Sequence, residues 1–157
     1  MMKKWFSMFF MILVIAVYLL LVLQQKQLNA GVYYMTHWEY IRSRTNFIPL
    51  ATICFYVKSL VNQSINANIC WRFFMISFLF GLPLGAAFPI GFPKCREVKC
   101  FTGIAILLLF FKECADVLLM IGSFDVDSIM VSLLGALMGY FGWRLIYHIV
   151  LRYKIKV

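Results

Sequence analysis

Long apolar stretches dominate the chain, and its polar residues are gathered between them. The four stretches are Trp5–Leu23, Phe73–Pro93, Phe101–Ile121 and Ile129–Leu151. Each has about 20 residues, and because an α-helix rises about 1.5 Å per residue, each matches a hydrocarbon core about 30 Å thick. The pattern predicts an all-α membrane protein: a four-transmembrane-helix bundle that forms a single domain over residues 1–157.

The segment between the first two stretches, Gln24–Trp71, predicts an amphipathic element at the membrane surface. Apolar residues recur there at alternating steps of three and four, at Phe47, Leu50, Cys54, Val57 and Val61. This period indicates a helix with one apolar face, and Pro49 suits its first turn, where a missing N–H costs nothing. Aromatic residues typical of a membrane interface precede it at Tyr33, Tyr34, Trp38 and Tyr40.

Charge placement predicts the orientation of the chain. Hydrophobic residues make up 64% of the sequence and charged residues 13%, too few to cover a water-soluble globule. The net charge of +9 comes from basic residues at the ends of the apolar stretches, so we expect no nucleic-acid partner. Both chain ends and residues 94–99 are basic, whereas residues 122–128 carry only acids. The positive-inside rule then predicts a cytoplasmic N-terminus and C-terminus, with Gln24–Trp71 outside.

The third apolar stretch carries three charged residues in its outer half. At 3.6 residues per turn, Lys112, Glu113 and Asp116 lie within an arc of about 100°, so they form one polar stripe that must face protein or water. Two interpretations stay open. Lys112 pairs with Asp116 and leaves Glu113 to bond a neighbouring helix, or Glu113 or Asp116 belongs to a polar pocket that opens outward.

The fourth stretch carries a face of small residues. They recur at steps of four, three, four and three, at Ser128, Ser132, Gly135, Gly139 and Gly142. Small side chains on one face let two helix backbones approach closely. We predict intramolecular helix packing through this face, with homodimerisation as the alternative. Asp125 and Asp127 stand just before it, where they can cap the helix.

Several short elements occur in the order found in a known family of membrane proteins. Arg44–Leu50 is similar to an Arg-x-Asn-Leu-x-Pro-Phe element, Pro83-Leu84-Gly85 to a Pro-x-Gly element, and Gly135–Tyr140 to a closing Gly-x-x-x-Gly-Tyr. Glu113 falls where a Glu-x-x-Gln element begins, and Gly122–Ser128 precedes the small-residue face. In this order the chain resembles the VanZ-like proteins associated with glycopeptide resistance.

The chain also departs from that pattern at particular positions. Ser77 and Ser132 stand where the family commonly has Asn, and Asp116 stands where it has Gln. Ser123 replaces an Arg, and Ser128 replaces an Asp. The chain therefore resembles a divergent member. The resemblance implies a multi-pass protein of the bacterial plasma membrane, with lowered susceptibility to teicoplanin-type lipoglycopeptides as the expected role.

We therefore expect an outward polar pocket that binds an amphiphile. The candidate ligand-binding residues are Arg44, Asn46, Glu113, Asp116, Asp125 and Asp127. The leading hypothesis is an outer-leaflet interaction with the lipid anchor of the drug or with a lipid-linked wall precursor. The alternatives are an enzyme or transporter that uses Glu113 as an acid/base or proton carrier, and a non-catalytic scaffold.

The sequence contains no pattern that requires catalysis, a metal or a cofactor. His37 and His148 are expected on opposite sides of the membrane, and the five cysteines form no Cys-x-x-Cys pair. We predict neither a metal site nor a cofactor, and leave enzymatic activity open. The expected partners are the bilayer and either a membrane lipid or a lipoglycopeptide.

Overall fold

The computed structural model describes residues 35–155, with side chains as far as residue 149. Its elements, in chain order, are α1 (His37–Ser43), β1 (Thr45–Asn46), α2 (Ala51–Val61), α3 (Ala67–Gly91), a 3-10 turn (Pro93–Arg96), α4 (Val98–Leu118), β2 (Phe124–Asp125) and α5 (Val126–Ile155). The first predicted span, Trp5–Leu23, lies outside the described residues.

Two of the described helices have the length and apolar composition of membrane spans. They are α3 and the Val126–Ile149 part of α5. Helix α4 has 21 residues, which is long enough, but Lys112, Glu113 and Asp116 interrupt its apolar run. The expected all-α architecture thus appears as a mostly helical chain with two candidate spans.

The helix ends differ from the ends of the predicted apolar stretches in both directions. Helix α3 begins at Ala67, six residues before Phe73, where the Asn66 side chain accepts the N–H of Asn68 at 3.0 Å. It ends at Gly91, two residues before Pro93, which opens the 3-10 turn. Helix α5 begins at Val126, directly after the β2 pair.

Helices α3 and α5 cross with their backbones in close contact. A Cβ atom added at Gly135 would lie 2.0 Å from the carbonyl oxygen of Phe78, and one added at Gly81 would lie 1.7 Å from that of Ser132. Gly85 and Gly139 face backbone oxygens equally closely. The crossing is therefore built from a Gly-x-x-x-Gly pair on each helix.

The other small residues of α5 lie differently. The Ser132 hydroxyl donates to the carbonyl oxygen of Ser77 on α3 at 2.8 Å, and Ser128 is half-buried. A Cβ atom added at Gly142 would meet no heavy atom of the described residues within 4 Å. The close approach thus ends between Gly139 and Gly142.

Helix α2 packs through the face opposite its apolar stripe. Ser59 is buried and the ring of Tyr56 contacts that of Phe73 on α3, with centroids 4.8 Å apart. The predicted apolar stripe is instead exposed, with Phe47 at 70% and Val61 at 77%. Most of the stripe therefore faces away from the rest of the described chain, and its first residue, Phe47, contacts Phe124 of β2.

Candidate functional site

Two segments far apart in sequence pair where α4 ends and α5 begins. Strands β1 and β2 run parallel, with Thr45 opposite Phe124 and Asn46 opposite Asp125. The N–H of Phe124 donates to the carbonyl oxygen of Arg44 at 2.9 Å. This short pairing brings the residues before α2 directly over the α4–α5 connection.

Asp127 joins α5 to the N-terminus of α2. Its side chain is fully buried; one carboxylate oxygen accepts the N–H of Leu50 at 2.6 Å and the other accepts the N–H of Ile53 at 3.0 Å. Leu50 has a left-handed φ of 65°, a conformation that costs an ordinary residue about 1–2 kcal/mol. A carboxylate at a helix N-terminus is favourable, so Asp127 offsets that cost while it caps α2.

This contact also corrects the expected position of Pro49. Helix α2 begins at Ala51, so Pro49 precedes the helix and does not occupy its first turn. The physical reason is that Leu50 has a left-handed backbone, φ 65°, so the right-handed helix starts only after it, while Asp127 accepts the N–H of Leu50.

Asp125 and Asn46 continue the network from the paired strands. Asp125 accepts the N–H of Asp127 at 3.0 Å, which caps the start of α5 as the sequence suggested, and accepts the Asn46 side-chain amide at 3.4 Å. The same amide donates to the Thr52 hydroxyl at 2.9 Å, while the Asn46 side-chain oxygen accepts the N–H of Ile48 at 3.0 Å. Burial raises the pKa of Asp125, and these hydrogen bonds counteract part of that rise.

The charged residues of α4 form ion pairs with each other and a hydrogen bond with β2. The Lys112 ammonium lies 2.7 Å from a Glu113 carboxylate oxygen and 2.9 Å from an Asp116 carboxylate oxygen. The second Glu113 oxygen accepts the N–H of Asp125 at 3.3 Å. The expected Lys112–Asp116 pair is present, but Glu113 shares the same lysine and bonds the β2 backbone. These groups form one polar network, composed of Asn46, Lys112, Glu113, Asp116, Asp125 and Asp127.

Tyr40 anchors α1 to the same end of the bundle. It is fully buried against Val117 and Phe124, and its hydroxyl donates to the carbonyl oxygen of Gly122 at 2.6 Å. The sequence suggested only an interfacial aromatic at this position. The start of helix α1 has a sequence pattern that indicates it, because Thr36 and Glu39 have the spacing of a capping box and form one in the structure.

The surface above the polar network is formed by the Arg44–Leu50 segment. Arg44 is exposed, as are Phe47 at 70% and Ile48 at 68%. The inner side of the segment is fixed, because the ring of Phe47 contacts that of Phe124 with centroids 5.1 Å apart. The segment therefore presents a cation and apolar side chains from a supported backbone.

The structure brings five of the six candidate residues together and leaves one at the surface. Asn46, Glu113, Asp116, Asp125 and Asp127 are joined by the hydrogen bonds and ion pairs above. Arg44 enters through its backbone, and its positive charge counteracts part of the rise in pKa that burial gives Tyr40. Lys112 was recognised in the stripe but not among the candidates, and Thr52 carried no sequence signal.

Comparison with known proteins identifies the family. The sequence model of the VanZ/LLP1 family matches residues 8–148, which is most of the chain and includes the whole polar network. Curated proteins and solved structures give no match. The family match and the two apolar helices of spanning length indicate a membrane protein. The resemblance inferred from the motifs is confirmed, and the chain belongs to the VanZ/LLP1 family.

Proposed function

We propose that this protein lowers the susceptibility of a bacterium to teicoplanin-type lipoglycopeptides. It does so at the outer leaflet of the plasma membrane, by interacting with the lipid anchor of the drug or with a lipid-linked wall precursor. Family membership supports the resistance role. The observation that carries the proposed interaction is the Arg44–Leu50 segment, where an exposed cation stands beside exposed apolar side chains. An amphiphile with a polar head and an acyl chain has matching chemistry.

The proposal includes a topology for the whole chain. Residues 1–157 form one domain of four transmembrane helices, with both chain ends in the cytoplasm and the Arg44–Leu50 segment outside. The basic residues 94–99 and the acidic connection before α5 support this orientation under the positive-inside rule. The apolar stripe of α2 supports an interfacial position, because its hydrophobic residues are exposed.

Within the site, the buried carboxylates hold the Arg44–Leu50 segment in position, and the exposed residues of that segment bind the ligand. Glu113, Asp125 and Asp127 are 2%, 7% and 0% exposed, and each accepts hydrogen bonds from the backbone of the chain. A carboxylate used in this way holds the Arg44–Leu50 segment in place and has little surface left for a ligand. Arg44 is exposed, so we assign ligand contact to Arg44.

Drug susceptibility of cells with and without the protein tests the proposal. A lipidated glycopeptide and its lipid-free analogue are compared, and protection against the lipidated drug alone is expected. Arg44→Ala should abolish most of the protection at unchanged membrane abundance, whereas Arg44→Lys should keep part of it because the charge remains. The matched control is Arg144→Ala, which removes an exposed arginine from the C-terminal half of α5. Full protection by Arg44→Ala would contradict the assignment of the site.

Glu113→Gln tests the positioning role. The change preserves the shape of the side chain but removes the charge that pairs with Lys112. We expect reduced protection with normal abundance, because the network under the Arg44–Leu50 segment loses a charged hydrogen bond worth about 1.5–3 kcal/mol. Unchanged protection would show that this ion pair is not needed for function.

A further inference from the structure

Four exposed basic residues lie between α1 and the first turns of α3, and none of them forms an ion pair within the described part of the chain. They are Arg42 and Arg44 near β1, Lys58 on α2 and Arg72 in the first turns of α3. Within the described part of the chain, both ion pairs are formed by Lys112. The four exposed cations therefore have no carboxylate partner among residues 35–155.

The acids at the same end of the bundle are already engaged. Glu39 is exposed, but its carboxylate accepts both the N–H of Thr36 at 2.9 Å and its hydroxyl at 2.8 Å, which lowers the pKa of Glu39. The remaining carboxylates belong to the polar network and are buried. Apart from Glu39, the negative charge at this end is thus inside the protein, and the accessible charge is predominantly positive.

Arginine and exposed apolar groups together specify the chemistry of a partner. A guanidinium presents donors in a planar fork that matches phosphate, and it forms charge-assisted hydrogen bonds with it. Phe47 and Ile48 are exposed within four residues of Arg44, so a partner held there meets apolar surface next to the cation. An acyl or isoprenyl chain would pack on that surface.

We infer that the partner of the Arg44–Leu50 segment is a lipid with a phosphate or pyrophosphate head group. This inference rests on the proposed function and narrows it. Of the two partners proposed above, it selects the lipid-linked wall precursor, which is attached to its lipid through an anionic group, over the acyl anchor of the drug. The acyl anchor would use the apolar side chains but leave the four cations unexplained.

Binding of farnesyl pyrophosphate to the purified full chain in phosphatidylcholine nanodiscs tests the inference. Farnesol supplies the same chain without the anion, and inorganic pyrophosphate supplies the anion without the chain. We expect farnesyl pyrophosphate to bind at least about tenfold more tightly than either, because each supplies only half of the contacts. The affinity should fall as salt is added, since the cations are exposed.

Variants locate the site on the chain. Arg44→Ala should weaken the binding of farnesyl pyrophosphate about tenfold, in line with the loss of one charge-assisted hydrogen bond. Arg42→Ala provides a second exposed cation whose removal should also weaken binding, and Arg144→Ala should leave it unchanged. Equal binding of farnesol and farnesyl pyrophosphate would overturn the inference, as would an Arg44→Ala protein that binds normally.

The two levels of the proposal can fail separately. If Arg44 is required for protection but farnesyl pyrophosphate does not bind, the inference is wrong and the drug's lipid anchor becomes the partner. If farnesyl pyrophosphate binds through Arg44 but cells gain no protection, the resistance role is wrong and the anionic-lipid site stands.

Discussion

Replacing Gly135 by alanine should push α3 and α5 apart. The added Cβ would lie 2.0 Å from the carbonyl oxygen of Phe78, whereas ordinary van der Waals contact begins at 3.4 Å. The helices would therefore have to separate by about 1.4 Å at this point. The obstacle is backbone, which cannot rotate away as a side chain can. Overpacking of this kind typically costs about 1–3 kcal/mol.

The assay is thermal unfolding of the purified protein in detergent, with Gly142→Ala as the matched control. At about 2–4 °C per kcal/mol for a chain of this size, Gly135→Ala should lower Tm by about 2–12 °C. Gly142 lies on the same helix, but no atom of residues 35–155 lies within 4 Å of an added Cβ there, so alanine should be neutral or slightly stabilising through helix propensity. Equal Tm values for the two variants would refute the packing argument.

Three further predictions concern the membrane topology, the cap that Asp127 provides for α2, and the titration of Asp125. Single cysteines in a cysteine-free background should react with an impermeant reagent in intact cells at Gln63 but not at Lys94, and the reverse result would invert the topology. Asp127→Ala should reduce membrane abundance, because two N–H groups at the start of α2 lose their acceptor, at a cost of about 1–3 kcal/mol each. Asp127→Asn should reduce the abundance less. Equal abundance of the two variants would count against the capping role. Burial raises the pKa of Asp125, so the folded state binds this proton more tightly than the unfolded state does. Protonation of Asp125 therefore stabilises the fold at low pH, and this stabilisation is lost as the pH rises through the raised pKa. Asp125→Asn should flatten the Tm profile in the acidic range, and an unchanged profile would argue against that assignment.

The long helices could be predicted because their signal is local. A run of about 20 apolar residues is sufficient evidence of a helix of spanning length, whatever the rest of the chain does. The packing partner of α5 was less accessible. Gly81-x-x-x-Gly85 has the same spacing as Gly135-x-x-x-Gly139, but it lies in a helix with two prolines. The sequence alone does not indicate that this pair packs on α5, as the structure shows.

The candidate site could be predicted as a set of residue types but not as a set of contacts. Glu113 and Asp116 stand out because a charge in an apolar helix needs a reason. The roles of Asp125 and Asp127 depend on their partners, and two of those partners are the backbone N–H groups of Leu50 and Ile53. Every residue except proline carries such a group, so sequence gives no hint of which one a carboxylate binds. Strands of two residues are likewise too short to show a period.

The long sequence distance between the two halves of the polar network has a consequence for biogenesis. Tyr40 bonds Gly122, and Leu50 bonds Asp127, across separations of 82 and 77 residues. While the chain is being inserted, α1 and α2 leave the translocation machinery well before these partners exist. The Tyr40 hydroxyl and the N–H of Leu50 must stay hydrated until these acceptors arrive, because a buried donor without an acceptor is costly. A nascent chain arrested before Phe124 should therefore display the Arg44–Leu50 segment as a protease-sensitive target, and completion of α5 should protect it in a single late step.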